Sequence, residues 1–154
     1  MQTDRLEIDR FDRAILNVLA ADGRISITDL AARIGLSKTP THARLKLLER
    51  DGVITGYRAV LDPIRIGRDH VAFVEVKLAD TREAALDAFN AAVRAVPEIE
   101  QCHMLAASFD YLLKVRTSDM SAYRRVLAES ISTLPHVAHT STYMAMQAVK
   151  EGGL

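Results

Sequence analysis

The sequence predicts an α+β fold in two domains, an N-terminal helix-turn-helix of the winged type and a C-terminal ferredoxin-like βαββαβ sandwich. Three observations lead to this prediction. Apolar residues recur at helical spacing in three short segments, strand-like and helical patterns then alternate over residues 71–148, and Asp62-Pro63 separates the two regions. The expected domains are residues 1–62, which hold the helix-turn-helix and a wing or linker strand, and residues 63–154, which hold the βαββαβ sandwich.

Composition places the chain among globular proteins. Its 154 residues are 49% hydrophobic and 26% charged, a balance that disordered chains do not have. No apolar run approaches the roughly 20 residues that cross a bilayer, and the charged N-terminal segment has no apolar core of a signal peptide. The single cysteine, Cys102, cannot form an internal disulfide and is expected to be a small buried strand residue. We therefore expect a cytoplasmic protein.

The first two helices are predicted from apolar stripes. Residues 8–21 carry an amphipathic stripe that Asp22-Gly23 ends, and residues 27–34 carry a second one. Gly35 follows in the position where a left-handed residue commonly ends a helix. The stripe residues are Ile8, Phe11, Ile15, Val18 and Leu19 in the first helix, and Ile27, Leu30, Ala31 and Ile34 in the second.

The third helix is predicted over residues 38–50. Ser37 is a suitable N-cap, and Pro40 falls in the first turn, where its missing N–H costs little. At about 100° per residue, Thr41, Leu45 and Leu48 share the inner face. The opposite face carries small, hydroxylated and basic side chains, namely Thr39, His42, Ala43, Lys46 and Arg50. Such a face suits base edges and phosphates in a major groove.

Charge alone gives weak support for DNA binding. The net charge of the chain is zero, although six basic residues lie between Arg33 and Arg58 against Glu49 and Asp51. A structural three-helix module with a solvated outer face therefore remains an alternative interpretation at this point. After the third helix, residues 53–61 alternate loosely around Thr55-Gly56, which predicts a short extended segment or wing.

The second domain is predicted as β-α-β-β-α-β. In the first strand, Val71 to Leu78, the side chains of Ala72, Val74, Val76 and Leu78 share one face. Helices are expected over residues 82–96 and 119–134, and further strands over residues 98–106, 111–116 and 137–148. The apolar stripe of the last helix comprises Met120, Tyr123, Leu127, Ile131 and Leu134. Helices on one face leave the other face of the sheet uncovered, which favours pairing with a second copy.

No residue pattern indicates catalysis or metal binding. His136 and His139 stand three apart at the start of a predicted strand, a spacing that puts them on opposite faces. There is no glycine-rich phosphate loop and no recognisable nucleophile motif. We therefore predict no enzyme, no cofactor and no metal. For Met104, Met120 and Tyr123, core packing is the alternative to a binding role.

Several segments resemble the Lrp/AsnC family of transcriptional regulators, from Ile8 to about Glu151. They are IDRFDRAILNVLAADGRIS, LAARIGLSKTPTHARLKLLERDGVITGY, FVEVKL, EIEQCHMLAASFDYLLKVR and DMSAYRRVL. The last two resemble leucine-responsive regulators. HVAFVEVKLADTREAALDAFNAAV and STLPHVAHTSTYMAM resemble the branch that activates proline dehydrogenase.

The resemblance implies function and candidate sites. It implies a cytoplasmic regulator of amino-acid metabolism that binds double-stranded DNA, forms dimers that assemble into octamers, and responds to an amino acid such as proline or leucine. DNA contacts are implied for Ser37, Lys38, Thr39, Thr41, His42 and Lys46, to which Arg50 is added as a phosphate contact from its outward position. Effector contacts are implied for Met104, Ala107, Ser108, Asp110, Tyr111, Met120, Tyr143 and Met144. The alternative function is a global, architectural regulator that wraps DNA with a weak effector response.

Four positions depart from the family pattern, and two of them, Thr41 and His42, stand where leucine-responsive relatives commonly have other residues. Ala107 stands where the family loop usually has glycine, so a left-handed backbone there would be costly. Leu47 stands where relatives frequently have a basic residue, which removes one phosphate contact.

Overall fold

The computed structural model describes residues 7–151. Residues 1–6 and 152–154, which belong to the two predicted domains, lie outside the described residues. The chain divides into two compact units, one that extends to Val60 and one that starts at Leu61.

The N-terminal unit consists of three helices around a small apolar core. The helices are α1 (Arg10–Ala21), α2 (Ile27–Ile34) and α3 (Lys38–Arg50). Ile15, Leu30 and Leu48 form the buried centre, and residues of the predicted stripes, such as Val18 and Ile34, pack around it. The apolar periodicity of the sequence therefore predicted both the helices and the faces that they bury.

The ends of these helices follow local side-chain chemistry. Asp9 caps α1 and forms a reciprocal capping box with Asp12, which satisfies backbone N–H groups that have no partner within the helix. Gly35 ends α2 at φ 71°, as predicted for a left-handed cap. Ser37 occupies the N-cap position of α3, as predicted, although its side chain makes no capping hydrogen bond.

The segment after α3 forms no wing strand. Residues 53–61 were predicted to form a short extended segment or wing. They contain no strand, since the chain between Arg50 and His70 has none. The N-terminal unit is helical and offers this segment no strand edge with which to form a ladder. Val60 and Leu61 are largely exposed there, at 97% and 63%.

The C-terminal unit is a four-stranded antiparallel sheet with the predicted element order. Its strands are β1 (His70–Leu78), β2 (Ile99–Met104), β3 (Tyr111–Thr117) and β4 (Val137–Met144), in the spatial order β2-β3-β1-β4. The helices α4 (Glu83–Val93) and α5 (Met120–Val126) connect β1 to β2 and β3 to β4, and a π-helical turn (Leu127–Ile131) continues α5. The predicted βαββαβ arrangement is confirmed.

The core of this unit lies on one face of the sheet. The β1 residues Ala72, Val74, Val76 and Leu78 are buried together, as their alternation predicted. Phe89 of α4 and Ile131 join the same cluster. The opposite face is partly apolar, since Phe73 and Tyr143 are paired across β1 and β4 and are 36% and 54% exposed.

Several elements of this unit differ from the prediction, and α4 and β2 are both shorter than expected. The expected helix 119–134 is interrupted by the π-helical turn, which inserts a residue into the repeat. Met120 lies in the first turn of α5 and is 48% exposed, so its assignment to the apolar stripe was wrong. β4 ends at Met144 rather than Ala148, although the backbone N–H of Ala145 still donates to the carbonyl oxygen of Val71 at 2.9 Å. Among the described residues, no helix has the length and apolarity that a membrane span requires.

Candidate functional site

The helix α3 presents one buried and one exposed face. Thr41 and Leu48 are 0% and 3% exposed, and Leu45 is half-buried beside them. The other predicted DNA-contacting residues are all exposed, namely Ser37, Lys38, Thr39, His42, Lys46 and Arg50. These side chains form a continuous polar surface along one helix, which we call the α3 outer face.

Thr41 does not belong to the α3 outer face. It is fully buried, and its Oγ1 donates a hydrogen bond to the backbone oxygen of Ser37 at 2.9 Å. A hydroxyl that is held inside the helix bundle cannot reach a base edge. The implied DNA contact of Thr41 is therefore corrected to a structural role, as its position on the inner face of the helix indicates.

The basic residues of the α3 outer face differ in their partners. Within the described part of the chain, Lys38 and Lys46 form no ion pair, so both ammonium groups face solvent. Arg50 instead donates from Nε to Oδ1 of Asp51 at 2.7 Å, and this hydrogen bond raises the pKa of the guanidinium. A phosphate would have to compete with Asp51 for Arg50 but would meet Lys38 and Lys46 unpaired.

Two contacts of α3 were missed by the sequence analysis. Arg44, which was counted only as one of the basic residues, is bound to Asp9 and Asp12 of α1. Glu49 accepts a hydrogen bond from the Tyr57 hydroxyl at 2.8 Å, which ties the segment after α3 to that helix. The Asp9–Asp12 spacing of a capping box is visible in the sequence, but its arginine partner is more than 30 residues away.

The loop between β2 and β3, with the strand residues that flank it, carries five of the eight predicted effector residues. Met104, Ala107 and Ser108 are exposed at this end of the sheet. Asp110 anchors the loop, since its Oδ2 accepts from the backbone N–H of Leu78 at 2.8 Å and its Oδ1 accepts from Lys77 Nζ at 3.1 Å. The Leu78 N–H and then Lys77 hold the pKa of Asp110 below its usual value. Asp110 is therefore an anionic anchor of the loop.

The alanine in this loop needs no left-handed backbone. Among the residues that the structure describes, His136 is the only non-glycine with a positive φ, so Ala107 lies outside the left-handed region. The strain considered for Ala107 is absent from this loop conformation.

Tyr111 is a core residue rather than a surface contact. It is 1% exposed, and its ring lies 4.4 Å from that of Phe89, measured between centroids. A ligand at the surface of the loop cannot touch this ring in the described conformation, so its implied effector contact is corrected. Of the three residues for which core packing was the alternative, only Tyr123 is buried, whereas Met104 and Met120 are 53% and 48% exposed.

The remaining predicted effector residues lie at the opposite end of the sheet. Met120 starts α5 just after β3, while Tyr143 and Met144 pair with Phe73 and Ala72 on β1. Tyr111, next to the loop, pairs with Val76. Because a strand rises about 3.3 Å per residue, the four steps from Ala72 to Val76 already span about 13 Å. Within one chain the structure does not bring the two groups together.

The cavities of the C-terminal unit are lined by other residues. Two cavities of about 410 and 520 Å³ are lined by none of the predicted effector residues. In the described residues, no set of three or more His, Cys, Asp or Glu side chains is placed to hold a metal ion. Cys102 is half-buried on β2, and burial raises the pKa of its thiol, which disfavours the reactive thiolate.

Comparison with known proteins gives matches over both units. Residues 8–55 match the model of a winged helix-turn-helix DNA-binding domain, and residues 71–154 match the Lrp/AsnC ligand binding domain. The chain is 59% identical over 148 residues to a proline dehydrogenase transcriptional activator of Rhizobium radiobacter, covering 96% of this chain and 95% of that protein. It is 47% identical to the leucine-responsive regulatory protein of Salmonella typhimurium, covering 94% and 88%.

A solved structure shows the same arrangement of elements. The complex of a Neisseria meningitidis transcriptional regulator with L-Met is similar at a TM-score of 0.86 and 31% identity. The match covers 93% of this chain and 92% of that one.

Proposed function

This chain belongs to the Lrp/AsnC family of DNA-binding, amino-acid-responsive transcriptional regulators, and we propose that it acts on genes of proline or leucine metabolism. It is a regulator and not an enzyme, as the family and the names of its relatives indicate. Proline and leucine are the proposed effectors because those names contain them. We place its action in the cytoplasm, where bacterial DNA lies.

The α3 outer face is the proposed DNA-reading surface of the N-terminal domain, residues 1–62. The observation that supports it most directly is the contrast between unpaired Lys38 and Lys46 on this face and buried Thr41 behind it. Thr39 and His42 lie between the two lysines and can offer hydrogen-bonding groups to base edges. Lys38, Lys46 and, more weakly, Arg50 then contact phosphates.

A salt titration tests this assignment. The probe is a duplex selected by the full-length protein from a random-sequence pool. Lys46→Ala is expected to flatten the plot of log affinity against log salt by about 0.9, because one phosphate contact and its released counterion are lost. Arg124→Ala removes an exposed cation of the C-terminal unit and serves as the matched control, with an unchanged slope.

Two results of this titration contradict the proposal. An unchanged slope for Lys46→Ala means that Lys46 is no phosphate contact and that the α3 outer face is wrongly assigned. Equal wild-type affinity for the selected and a random duplex means that the protein wraps DNA without sequence preference.

The effector site is proposed to be completed by a second copy of the chain. Residues 63–154 then serve both effector binding and oligomerisation. Met104, Ala107 and Ser108 lie at one end of the sheet and Met120, Tyr143 and Met144 at the other, too far apart for one small amino acid. Contacts from both groups require that one copy supplies the loop and another supplies the opposite end. We propose dimers for this purpose, assembled further into an octamer.

Thermal melts with each of the twenty amino acids test the sensing proposal. A ligand that binds the folded state raises the melting temperature as the ligand concentration increases. At 100 times its dissociation constant, the ligand stabilises the folded state by about 2.7 kcal/mol. Met104→Ala and Met120→Ala should both weaken the effect, although they lie at opposite ends of the sheet. Met146→Ala, at a fully exposed position, is the control. No shift with any amino acid, in protein that is still oligomeric, contradicts the proposal.

A further inference from the structure

The side chain of Arg44 joins the third helix to the start of the first. Its Nη1 donates to Oδ2 of Asp9 at 2.6 Å and to Oδ1 of Asp12 at 2.9 Å. The side chains of Arg44 and Asp12 are only 32% and 15% exposed. Arg44 is thus bound within its own unit, which distinguishes it from Lys38 and Lys46 on the same helix.

The N-terminal cap of α1 holds the same two carboxylates, Asp9 and Asp12, through backbone N–H groups. Oδ1 of Asp9 accepts the backbone N–H groups of Phe11 and Asp12 at 2.8 and 2.9 Å, and Oδ2 of Asp12 accepts the N–H of Asp9 at 3.2 Å. Each carboxylate therefore uses one oxygen for the helix cap and the other for Arg44. The N–H of Asp12 and then Arg44 lower the pKa of Asp9, so the acceptor stays ionised. The guanidinium also lies 5.5 Å from the centre of the Phe11 ring.

We propose that Arg44 is a positioning residue for DNA reading, which fixes the rotation of α3 against the capped end of α1 and contacts no phosphate itself. This inference rests on the proposed role of the α3 outer face. On a helical projection Arg44 lies about 160° from Lys46, so its side chain emerges on the opposite side of α3.

A small rotation of α3 would displace the side chains that are proposed to meet DNA. The remaining contacts of α3 with α1 and α2 are largely apolar, through Leu45 and Leu48, and apolar packing is not directional. A rotation of about 15° moves atoms at the helix surface, about 6 Å from the axis, by about 1.5 Å. A hydrogen bond to a base edge does not survive that displacement. The charge-assisted bonds of Arg44 are directional and oppose the rotation.

Arg44→Gln in the full-length protein tests the proposal, with the selected duplex and a random duplex as probes. We expect affinity for the selected duplex, corrected for the active fraction of protein, to fall about tenfold or more, with a salt slope equal to that of the wild type. Affinity for random DNA should fall less, so that the ratio between the two decreases. A phosphate contact would lower the slope by about 0.9 and weaken both affinities alike. A merely structural role would leave the affinity of the folded fraction unchanged. Either result overturns the proposal.

Asp12→Asn supplies a second variant that leaves α3 and its charge intact. If Arg44 only positions the helix, losing one of its two carboxylate partners weakens binding to the selected duplex, and the double variant is no worse than Arg44→Gln alone. If Arg44 is a phosphate contact held back by Asp12, the substitution frees it and tightens DNA binding, which contradicts the proposal. Lys46→Ala, measured in parallel, separates the role of the α3 outer face from the role of Arg44. An unchanged salt slope for Lys46→Ala refutes the assignment of the α3 outer face but not the contacts of Arg44 with α1.

Discussion

The two units of this protein place their candidate sites in different ways. In the N-terminal unit the residues that are expected to meet DNA lie on one face of a single helix, within residues 37–50. In the C-terminal unit the predicted effector residues come from three separate segments and lie at two ends of a sheet. The first site can be complete in one chain, whereas the second, as we propose, is completed by another copy. DNA reading and sensing thus depend on different levels of structure.

The largest expected effect comes from a truncation in the apolar core of one unit, which should impair the function of that unit alone. Ile15 is completely buried in the N-terminal core, so Ile15→Ala should lower the free energy of unfolding of that unit by about 2–5 kcal/mol. A unit of about 60 residues has little stability to spare, so DNA binding should be lost while amino-acid binding persists. Chemical unfolding followed by hydrogen exchange of both units measures this.

Leu113→Ala is the matched variant in the core of the C-terminal unit, where Leu113 is equally buried. It should remove amino-acid binding and leave the helices of the N-terminal unit protected. If both variants lose both functions together, the two units do not act as separate structures and the comparison fails.

A pair of neighbouring residues sharpens the distinction between the two faces of α3. His42→Ala should weaken binding to the selected duplex by about 1–3 kcal/mol, because a base-edge contact is lost, with little change in stability. Thr41→Val should do the reverse, lowering stability by about 1 kcal/mol through the lost bond to Ser37 while the folded protein binds DNA normally. Fluorescence anisotropy and urea unfolding of both variants give the two quantities.

The anchor of the effector loop gives a smaller and pH-dependent effect. Asp110→Ala should cost about 1–2 kcal/mol of stability, since the N–H of Leu78 loses its acceptor. The lowered pKa of Asp110 means that its contribution is full above the pKa in the unfolded chain, about 4, and is lost as pH falls through the lower folded value. The wild type and the variant should therefore differ by a constant amount from pH 5 to 7 and converge in acid. A constant difference down to pH 2 contradicts this.

The smallest expected effect concerns the ion pair next to that anchor. Lys77 is 47% exposed where it meets Asp110, so Lys77→Met should change stability by no more than about 1 kcal/mol. Unfolding in low and high salt measures the difference, which screening should reduce. A loss as large as that of Asp110→Ala would mean that the lysine, and not the backbone N–H of Leu78, holds the loop.

The sequence predicted the elements better than the contacts between them. Helical and strand periodicity indicated which residues of α3 and β1 are buried, because burial repeats with the local geometry of the backbone. The bond between Arg44 and Asp9 joins residues far apart in the chain, and no local pattern encodes it. The resemblance supplied the effector residues as a set, but the buried position of Tyr111 and the split between Met104 and Met120 depend on strand register. The π-helical turn after Val126 likewise has no periodic signal.

Hydrogen–deuterium exchange of the full-length protein most directly tests the contrast between a DNA site within one chain and an effector site shared by two copies. It is measured with the selected duplex and, separately, with the amino acid that raises the melting temperature. DNA should slow exchange in one continuous segment, residues 37–50. The amino acid should slow exchange at both ends of the sheet, in residues 104–110 and in the segments around Met120 and Tyr143, because two copies complete the site. Two results would contradict this account: protection by the amino acid at only one end of the sheet, or protection by DNA only in segments other than α3.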